Sequence, residues 1–269
     1  MLRFSYGARS DVGLVRSHNE DAGFAGPYLQ LVADGVGGAA AGEVAAATTA
    51  YLVSALTAAS PEADPVPLLA EAVRLAQHQL QDGVRREPER HGMATTLVAG
   101  LARHGRVTMV HIGDSRGYLL RDGALIRLTR DHTLVQLMID QGRLTPDEAR
   151  TNPYRSVVVK SVNADQEQPP DLWTTELRVG DRLLLCSDGL SDFVEESEIA
   201  TRLATPDPDE AAESLVAAAL AAGGRDNVTC LVSDLIDGPP ICADGRLLGA
   251  MANPELVIDP AAIRLSHSA

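Results

Sequence analysis

Hydrophobic and polar positions alternate along the chain with two different periods. Nine stretches have the β-branched or alternating pattern of strands, and several of them follow one another across short turns. They are residues 28–33, 95–101, 107–112, 117–121, 125–128, 157–162, 172–177, 182–186 and 227–235. Helical periodicity covers residues 42–56, 67–86, 133–141, 147–151 and 209–222. Because consecutive strands are joined by short turns, the pattern predicts antiparallel pairing.

The grouping of these elements predicts an α+β fold, with a central antiparallel β-sandwich flanked by helices on both sides. Thr145-Pro146 and Asp207-Pro208 have the N-cap and first-turn residues of helix starts, and Asp122-Gly123 predicts a hairpin turn. We expect one domain over residues 1–237. Residues 238–269, which are richer in Pro, Gly and Ala, form either a C-terminal tail or an edge extension.

The composition narrows the classes of function. A formal net charge of −14, without a Lys/Arg cluster, argues against nucleic acid or an anionic membrane as a partner. No apolar run reaches the roughly 18 residues that span a bilayer, and no export signal is visible, so we expect a cytoplasmic protein. Cys186, Cys230 and Cys242 are too scattered for a disulfide framework or a thiolate metal site.

Acidic residues provide the strongest chemical signal. Asp34 and Asp188 each end an apolar strand and precede a glycine, and other acids lie in comparable settings. An oxygen-only cluster suits Mg²⁺ or Mn²⁺ better than zinc. Two such ions about 3.5–4 Å apart could share a hydroxide and support displacement at phosphorus. The six candidate ligands are Glu20, Asp21, Asp34, Asp114, Asp188 and Asp226.

A phosphate would need a cation of its own, because the carboxylates already neutralise the metal ions. Arg16 lies four residues before Glu20 and is the candidate for a bidentate contact with phosphoryl oxygens.

Seven segments, in this order, resemble the metal-dependent protein phosphatases, the PPM or protein phosphatase 2C family, and particularly its compact bacterial members. They span nearly the whole chain before residue 238. The segments are 16–22 (RSHNEDA), 32–38 (VADGVGG), 92–96 (GMATT), 113–116 (GDSR), 128–133 (LTRDHT), 186–190 (CSDGL) and 224–229 (GRDNVT).

The resemblance implies metals bound at one end of the sandwich, between the sheets. By motif position, Asp34 would bridge two ions and the Gly35 carbonyl would bind the second. Asp188 and Asp226 would hold the first ion.

The same resemblance gives Glu20 and Asp21 to the second ion or its waters. Asp114 would bind a third, weaker ion shared with Asp188. Arg16 falls on the phosphate-binding arginine of the family, so Arg16, Asp34 and Asp188 are the expected catalytic residues.

The implied function is a metal-dependent serine/threonine phosphatase using two, or with the weaker site three, Mn²⁺ or Mg²⁺ ions. A metal-bridging hydroxide would attack phosphoserine or phosphothreonine directly. Its partners would be phosphoproteins, namely bacterial Ser/Thr kinases and their targets, and we expect a monomer.

Two departures from the family affect this expectation. Val36 stands where members from higher cells have a histidine proposed to protonate the leaving group, so the general acid stays open. We expect structural roles for His18, His111 and His132. Residues 152–160, which follow residues 134–151 of the family's mobile flap, match the family loosely, which leaves substrate preference open. With this segment included, we place the flap at about residues 134–160.

Three alternatives remain at the level of sequence. The first is a phosphatase of the same fold acting on a stress-signalling switch protein. The second is a catalytically dead module that recognises phosphoproteins, which the retained acid cluster disfavours. The third is a small-molecule phosphatase, because hydrolysis at phosphorus does not depend on what lies beyond the ester.

Overall fold

The structure is a computed structural model that describes residues 1–36, 41–241 and 244–263. Its strands are β1 (Leu2–Asp11), β2 (Asp21–Ala25), β3 (Leu29–Val36), β4 (Ala94–Thr95), β5 (Leu97–Arg103), β6 (Arg106–Ile112), β7 (Arg116–Arg121), β8 (Ala124–Arg127), β9 (Val162–Asn163), β10 (Asp171–Thr175), β11 (Arg182–Cys186), β12 (Val228–Asp237) and β13 (Arg246–Gly249). Its helices are α1 (Gly42–Ala59), α2 (Pro65–Arg86), α3 (Leu134–Asp140), α4 (Pro146–Arg150), α5 (Asp188–Ser191), α6 (Glu196–Leu203) and α7 (Pro208–Ala221).

Two antiparallel sheets face each other. One has the strand order β1-β12-β11-β7-β8, and the other has the order β10-β6-β5-β3-β2-β13, with the short strands β4 and β9 attached at β3. Phe4, Val98, Leu183 and Leu231 belong to the apolar cluster between the sheets. Burial of such side chains is the main force that holds the two sheets together.

Helices cover both outer faces. A cluster that includes Leu52 and Leu69 joins α1 and α2 to the second sheet, while a cluster that includes Leu203 and Leu215 joins α6 and α7 to the first. The expected α+β sandwich with helices on both sides is therefore confirmed. No helix among the described residues combines the length and apolar character needed to cross a bilayer.

Local signals in the sequence predict several boundaries well. Thr145 caps α4 with a reciprocal capping box to Glu148, and the Asp207 side chain caps α7. Asp122 and Gly123 both adopt positive φ in the β7–β8 hairpin, as a tight Asp-Gly turn requires. Cys186 and Cys230 are buried free thiols, whereas Cys242 lies outside the described residues.

The strand expected at residues 157–162 is mostly wrong. Only Val162–Asn163 forms a strand there, and Val158 makes a single bridge with Thr133. This stretch is rich in β-branched residues, but it belongs largely to the flap, where its backbone pairs with other segments at only a few residues. The strands β1, β2 and β13 and the helix α6 were not predicted, because polar residues and glycines interrupt their apolar patterns.

The chain after β12 returns to the second sheet. β13 pairs antiparallel with β2, with Gly249 opposite Ala22. The following 3₁₀ turns pack on α1, where Thr48 bonds the backbone of Leu256 and Ile258. Residues 244–263 thus lie against both the edge of the sheet and the outer helical layer.

Candidate metal centre

One cavity of ≈ 180 Å³ lies at an end of the sandwich, where strand ends and loops from both sheets meet. Most of the acids singled out in the sequence line it, together with two residues of the flap. The lining residues are Arg16, Glu20, Asp34, Gly35, Val36, Asp114, Ser156, Val158, Asp188, Asp226 and Asn227.

Asp34 and Asp21 come from neighbouring strands. They are directly opposite in the register of β2 and β3. Asp21 does not line the cavity and is fully buried behind it. Its Oδ2 accepts hydrogen bonds from Ser187 and Thr229, both at 2.7 Å, while its Oδ1 has no hydrogen-bond partner. The Asp21 carboxylate is thus fixed by one oxygen and has the other free.

Asp188 and Asp226 are held by the first sheet. Asp188 opens α5 directly after β11, and Asp226 lies just before β12. A Cβ added to Gly189 would lie 1.9 Å from the carbonyl oxygen of Asn227. The absence of a side chain at Gly189 therefore lets α5 approach the Asp226 segment closely.

Asp114 lies in the turn from β6 to β7 and is almost fully buried. The preceding Gly113 has a φ of 109° and packs against Thr96, leaving no room for a side chain. The Thr96 hydroxyl lies 2.7 Å from the Ser115 hydroxyl and accepts a hydrogen bond from the Asp34 backbone N–H. Thr96 thereby connects the Asp114 turn to β3.

Arg16 and Glu20 lie on the loop between β1 and β2. Arg16 is exposed at the cavity, and its Nη2 donates to Oδ2 of Asp226 at 2.8 Å. Asn227 holds the loop from beneath: its Oδ1 accepts from the Glu20 backbone N–H, and its Nδ2 donates to the carbonyls of Val12 and His18. Asn227 therefore contributes three of the hydrogen bonds that hold this loop.

The crowding of carboxylates shifts their protonation. Burial, followed by the neighbouring charges of Asp21 and Asp188, raises the pKa of Asp34 well above its ordinary value. Burial and the charge of Asp114 do the same for the pKa of Asp188. Burial raises the pKa of Asp21 to about 6 and that of Asp114 to about 7. The protein alone therefore holds this cluster at an electrostatic cost.

These residues fit divalent cations. The donors are carboxylate and carbonyl oxygens, which hard cations prefer, and Oδ1 of Asp21 is buried with its hydrogen-bonding capacity unused. Positive charge placed among the acids would also relieve their mutual repulsion. Gly35, whose carbonyl was a candidate ligand, lies on the cavity wall against Gly42 of α1.

Sequence reasoning did not single out several residues that build the site. Asn227, Ser187 and Thr229 orient the acids or their loops, and Ser156 and Val158 bring the flap to the cavity. The available signal was adjacency, because Asn227 follows Asp226 and Ser187 precedes Asp188. In the fold, however, the Ser187 side chain bonds to Asp21 and the Asn227 side chain bonds to the loop between β1 and β2, rather than to the acid next to each in sequence.

Comparison with known proteins agrees with this architecture. Residues 16–221 match the family model described as "Protein phosphatase 2C". The chain is 47% identical over 236 residues to the serine/threonine protein phosphatase PstP of Mycobacterium tuberculosis, covering 88% of this chain and 46% of that protein. It is 33% identical to the serine/threonine phosphatase stp of Listeria welshimeri, covering 83% of this chain and 93% of the relative.

Solved structures give the same result. A crystal structure of the M. tuberculosis phosphatase PstP/Ppp superposes with a TM-score of 0.84 at 46% identity, covering 87% of this chain and 100% of that one. The PstP catalytic domain in complex with two manganese ions gives a TM-score of 0.82 at 45% identity, covering 88% and 100%. The fold of this chain therefore matches the architecture of these solved structures.

This chain belongs to the protein phosphatase 2C family. It spans about half the length of the M. tuberculosis relatives that it matches.

Proposed function

We propose that this chain is a metal-dependent protein serine/threonine phosphatase. The observation that carries the proposal is the convergence of Asp34, Asp114, Asp188 and Asp226 on one cavity with Arg16 beside them. The named activity of the relatives in M. tuberculosis and Listeria supports the choice of phosphoserine and phosphothreonine as substrates. Without bound metal ions, the acid-lined cavity would repel a phosphate.

We propose Mn²⁺ or Mg²⁺ as cofactors, held by Glu20, Asp21, Asp34, Asp188 and Asp226 together with the Gly35 carbonyl. Two manganese ions in the PstP catalytic domain support this assignment. When bound, such ions supply Lewis acidity that activates water as the nucleophile and neutralises charge on the phosphate. Asp114 and Asp188 are the proposed ligands of a weaker third ion.

Side chains of this protein position the substrate. Arg16 binds the phosphoryl oxygens, and its present partner Asp226 fixes the guanidinium at the cavity. Val36 provides no proton, and the described residues lining the cavity include no histidine. We therefore propose that the leaving alkoxide takes its proton from water at the open side of the cavity.

The partners follow from the same reasoning. We propose phosphorylated proteins as substrates, among them Ser/Thr kinases and their targets, and no role for nucleic acid or membrane. The net charge of −14 supports the exclusion of polyanions. We also propose a monomer in the cytoplasm; free buried thiols at Cys186 and Cys230 support a reducing compartment.

We propose residues 1–237 as the phosphatase domain, with the flap at about residues 134–160. Of the two alternatives for residues 238–269, we propose an edge extension of the same sandwich, to which the described residues 244–263 belong. The pairing of β13 with β2 supports this division, since the extension continues the sheet that carries Asp21 and Asp34.

The test is hydrolysis of a phosphothreonine peptide and of p-nitrophenyl phosphate in MnCl₂, in MgCl₂ and with excess chelator. We expect hydrolysis of the peptide only with metal, and a loss of several orders of magnitude in Asp188→Asn. The matched control is Asp122→Asn, which changes an acid in a hairpin turn far from the cavity. Full turnover in chelator, or peptide binding without hydrolysis in every metal, would contradict the proposal.

A further inference from the structure

His111, His132 and Asp171 form a second cluster of titratable side chains, outside the acid-lined cavity. One possible ligand atom from each lies within 4.8 Å of the others, and the two imidazole rings stack with centroids 4.9 Å apart. The set has the composition of a transition-metal site. Its hydrogen bonds indicate a different role.

The protonation of His132 is fixed by its neighbours. The backbone N–H of Gly113 donates to His132 Nδ1 at 3.0 Å, so Nδ1 carries the lone pair and Nε2 carries the hydrogen. His132 Nε2 then donates to Oδ2 of Asp171 at 3.1 Å. The other oxygen of Asp171 accepts from Lys160 Nζ at 2.8 Å. A metal at Nε2 would have to displace a hydrogen that this arrangement requires, beside an ammonium group.

The backbone of His132 makes two further connections. Its N–H donates to the Gly113 carbonyl at 2.8 Å, and its carbonyl accepts from the Val159 N–H at 2.9 Å. Gly113 immediately precedes Asp114, whereas Val159 and Lys160 are the last residues of the flap. Val158, which precedes Val159, lines the cavity. His132 therefore touches both the turn that carries Asp114 and the flap segment that closes one side of the cavity.

We propose that His132 is a positioning residue that ties the flap to the Asp114 turn, by accepting from Gly113 and donating to Asp171. The inference rests on the proposed phosphatase function and deepens it. Neither His132 nor Asp171 lines the acid-lined cavity. The hydrogen bond from Gly113 to His132 keeps the Asp114 turn in place. The pair of Asp171 with Lys160 keeps the end of the flap next to that turn.

Two substitutions separate the two links. In His132→Asn, the amide oxygen lies where Nδ1 was and can still accept from Gly113, but nothing reaches Asp171. In His132→Gln, the amide reaches the position of Nε2 and can donate to Asp171, but the Gly113 acceptor is lost. His132→Phe removes both links while keeping a stacked ring. His91→Asn, at an exposed histidine, is the matched control.

The activity measurements use Mn²⁺ titrations with p-nitrophenyl phosphate and Michaelis–Menten kinetics with a phosphothreonine peptide. For His132→Gln and His132→Phe, we expect the Mn²⁺ concentration for half-maximal activity to rise about tenfold, as when a residue supporting a metal ligand is lost. For His132→Asn, we expect an unchanged Mn²⁺ titration, with KM for the peptide raised by up to about fivefold, the size of one partly exposed charged contact.

A double variant and an exchange measurement test the route. In an Asp114→Ala background, His132→Phe should have no further effect on the Mn²⁺ titration, because the residue through which it acts is gone. In metal-free protein, the Gly113 amide should exchange with solvent faster in His132→Gln and His132→Phe than in His132→Asn. This readout needs no enzymatic activity, so it tests the inference even where the phosphatase proposal fails.

Equal exchange and equal Mn²⁺ titrations for the Asn, Gln and Phe variants would overturn the proposal. So would additive losses with Asp114→Ala. Stoichiometric binding of Zn²⁺ alone that disappears in Asp171→Asn would also overturn it, because the cluster would then be a metal site.

Discussion

Asp21 and Asp34 lie directly opposite each other across the antiparallel pair β2–β3. Like charges in this position destabilise a sheet. Burial raises the pKa of both carboxyl groups, and the charges of Asp21 and Asp188 raise the pKa of Asp34 further. Two strands that would pair better with other residues at this register thus bring Asp34 to the cavity and Asp21 behind it. Positive charge bound between the two carboxylates would relieve this repulsion.

The cost of this cluster can be measured by removing one charge. In metal-free protein, Asp34→Asn should raise the melting temperature by a few degrees, since a repulsive contact is lost. Addition of MnCl₂ should stabilise the wild-type protein and have little effect on the variant, because binding to the folded state is what stabilises it. Scanning calorimetry with and without MnCl₂ measures both effects. A variant less stable than Asp122→Asn without metal would count against repulsion at this site.

Asn227 should hold in place the loop between β1 and β2, which carries Arg16. Asn227→Asp keeps the acceptor for the Glu20 N–H but replaces the donor to the Val12 and His18 carbonyls with a charged oxygen. We expect KM for a phosphopeptide to rise about tenfold or more, with a loss of about 2 kcal/mol in unfolding free energy for the buried groups left unpaired. Steady-state kinetics and urea denaturation measure the two effects. Unchanged KM would show that the loop is held without Asn227.

The edge extension should be needed for the geometry of β2. A Cβ on Gly249 would lie 2.1 Å from the Asp21 carbonyl oxygen, and Gly249 has a φ of 56°. Gly249→Ala should therefore destabilise the protein by more than about 3 kcal/mol, through both strain and displacement of β13.

Gly105→Ala separates these two causes. Gly105 has a φ of 73° with nothing within 4 Å of an added Cβ, so the substitution should cost only about 1–2 kcal/mol. Equal losses of unfolding free energy in urea for the two variants would mean that the contact with Asp21 is not important.

Asp181 should contribute stability that depends on pH. Burial alone would raise the pKa of Asp181, but hydrogen bonds from Arg121 and from the Arg178 backbone outweigh it and hold the pKa below 3.8, its ordinary value. Because the folded pKa is the lower one, the stabilisation is present above that ordinary value and is lost as pH falls through the folded pKa.

Asp181→Asn should therefore cost about 1.5–3 kcal/mol near pH 7 and progressively less between about pH 5 and pH 3. Urea denaturation across this range provides the measurement, with Asp165→Asn, at an exposed aspartate, as control. A difference that stays constant with pH would show that the Asp181 charge does not stabilise the fold.

The sequence predicts the layers and the acids of this protein better than it predicts the supports of the acids. Asp34 and Asp188 were visible because each follows an apolar strand and precedes a glycine, which is a local pattern. The contacts of Asn227 with Val12 and His18 join residues more than 200 positions apart, so no local pattern reveals them. The pairing of β13 with β2 is equally non-local. Residues 157–162 have the local pattern of a strand, but no neighbouring segment among the described residues pairs with them along their length.

The central claim is that the acids of this cavity hold paired divalent cations. Crystals grown with MnCl₂ and measured at the manganese absorption edge test it most directly. We predict at least two anomalous peaks in the cavity, among Asp34, Asp188 and Asp226, and their loss in Asp188→Asn for the ion that this residue holds. Well-diffracting crystals with the acids ordered and no anomalous peak among them would contradict the account.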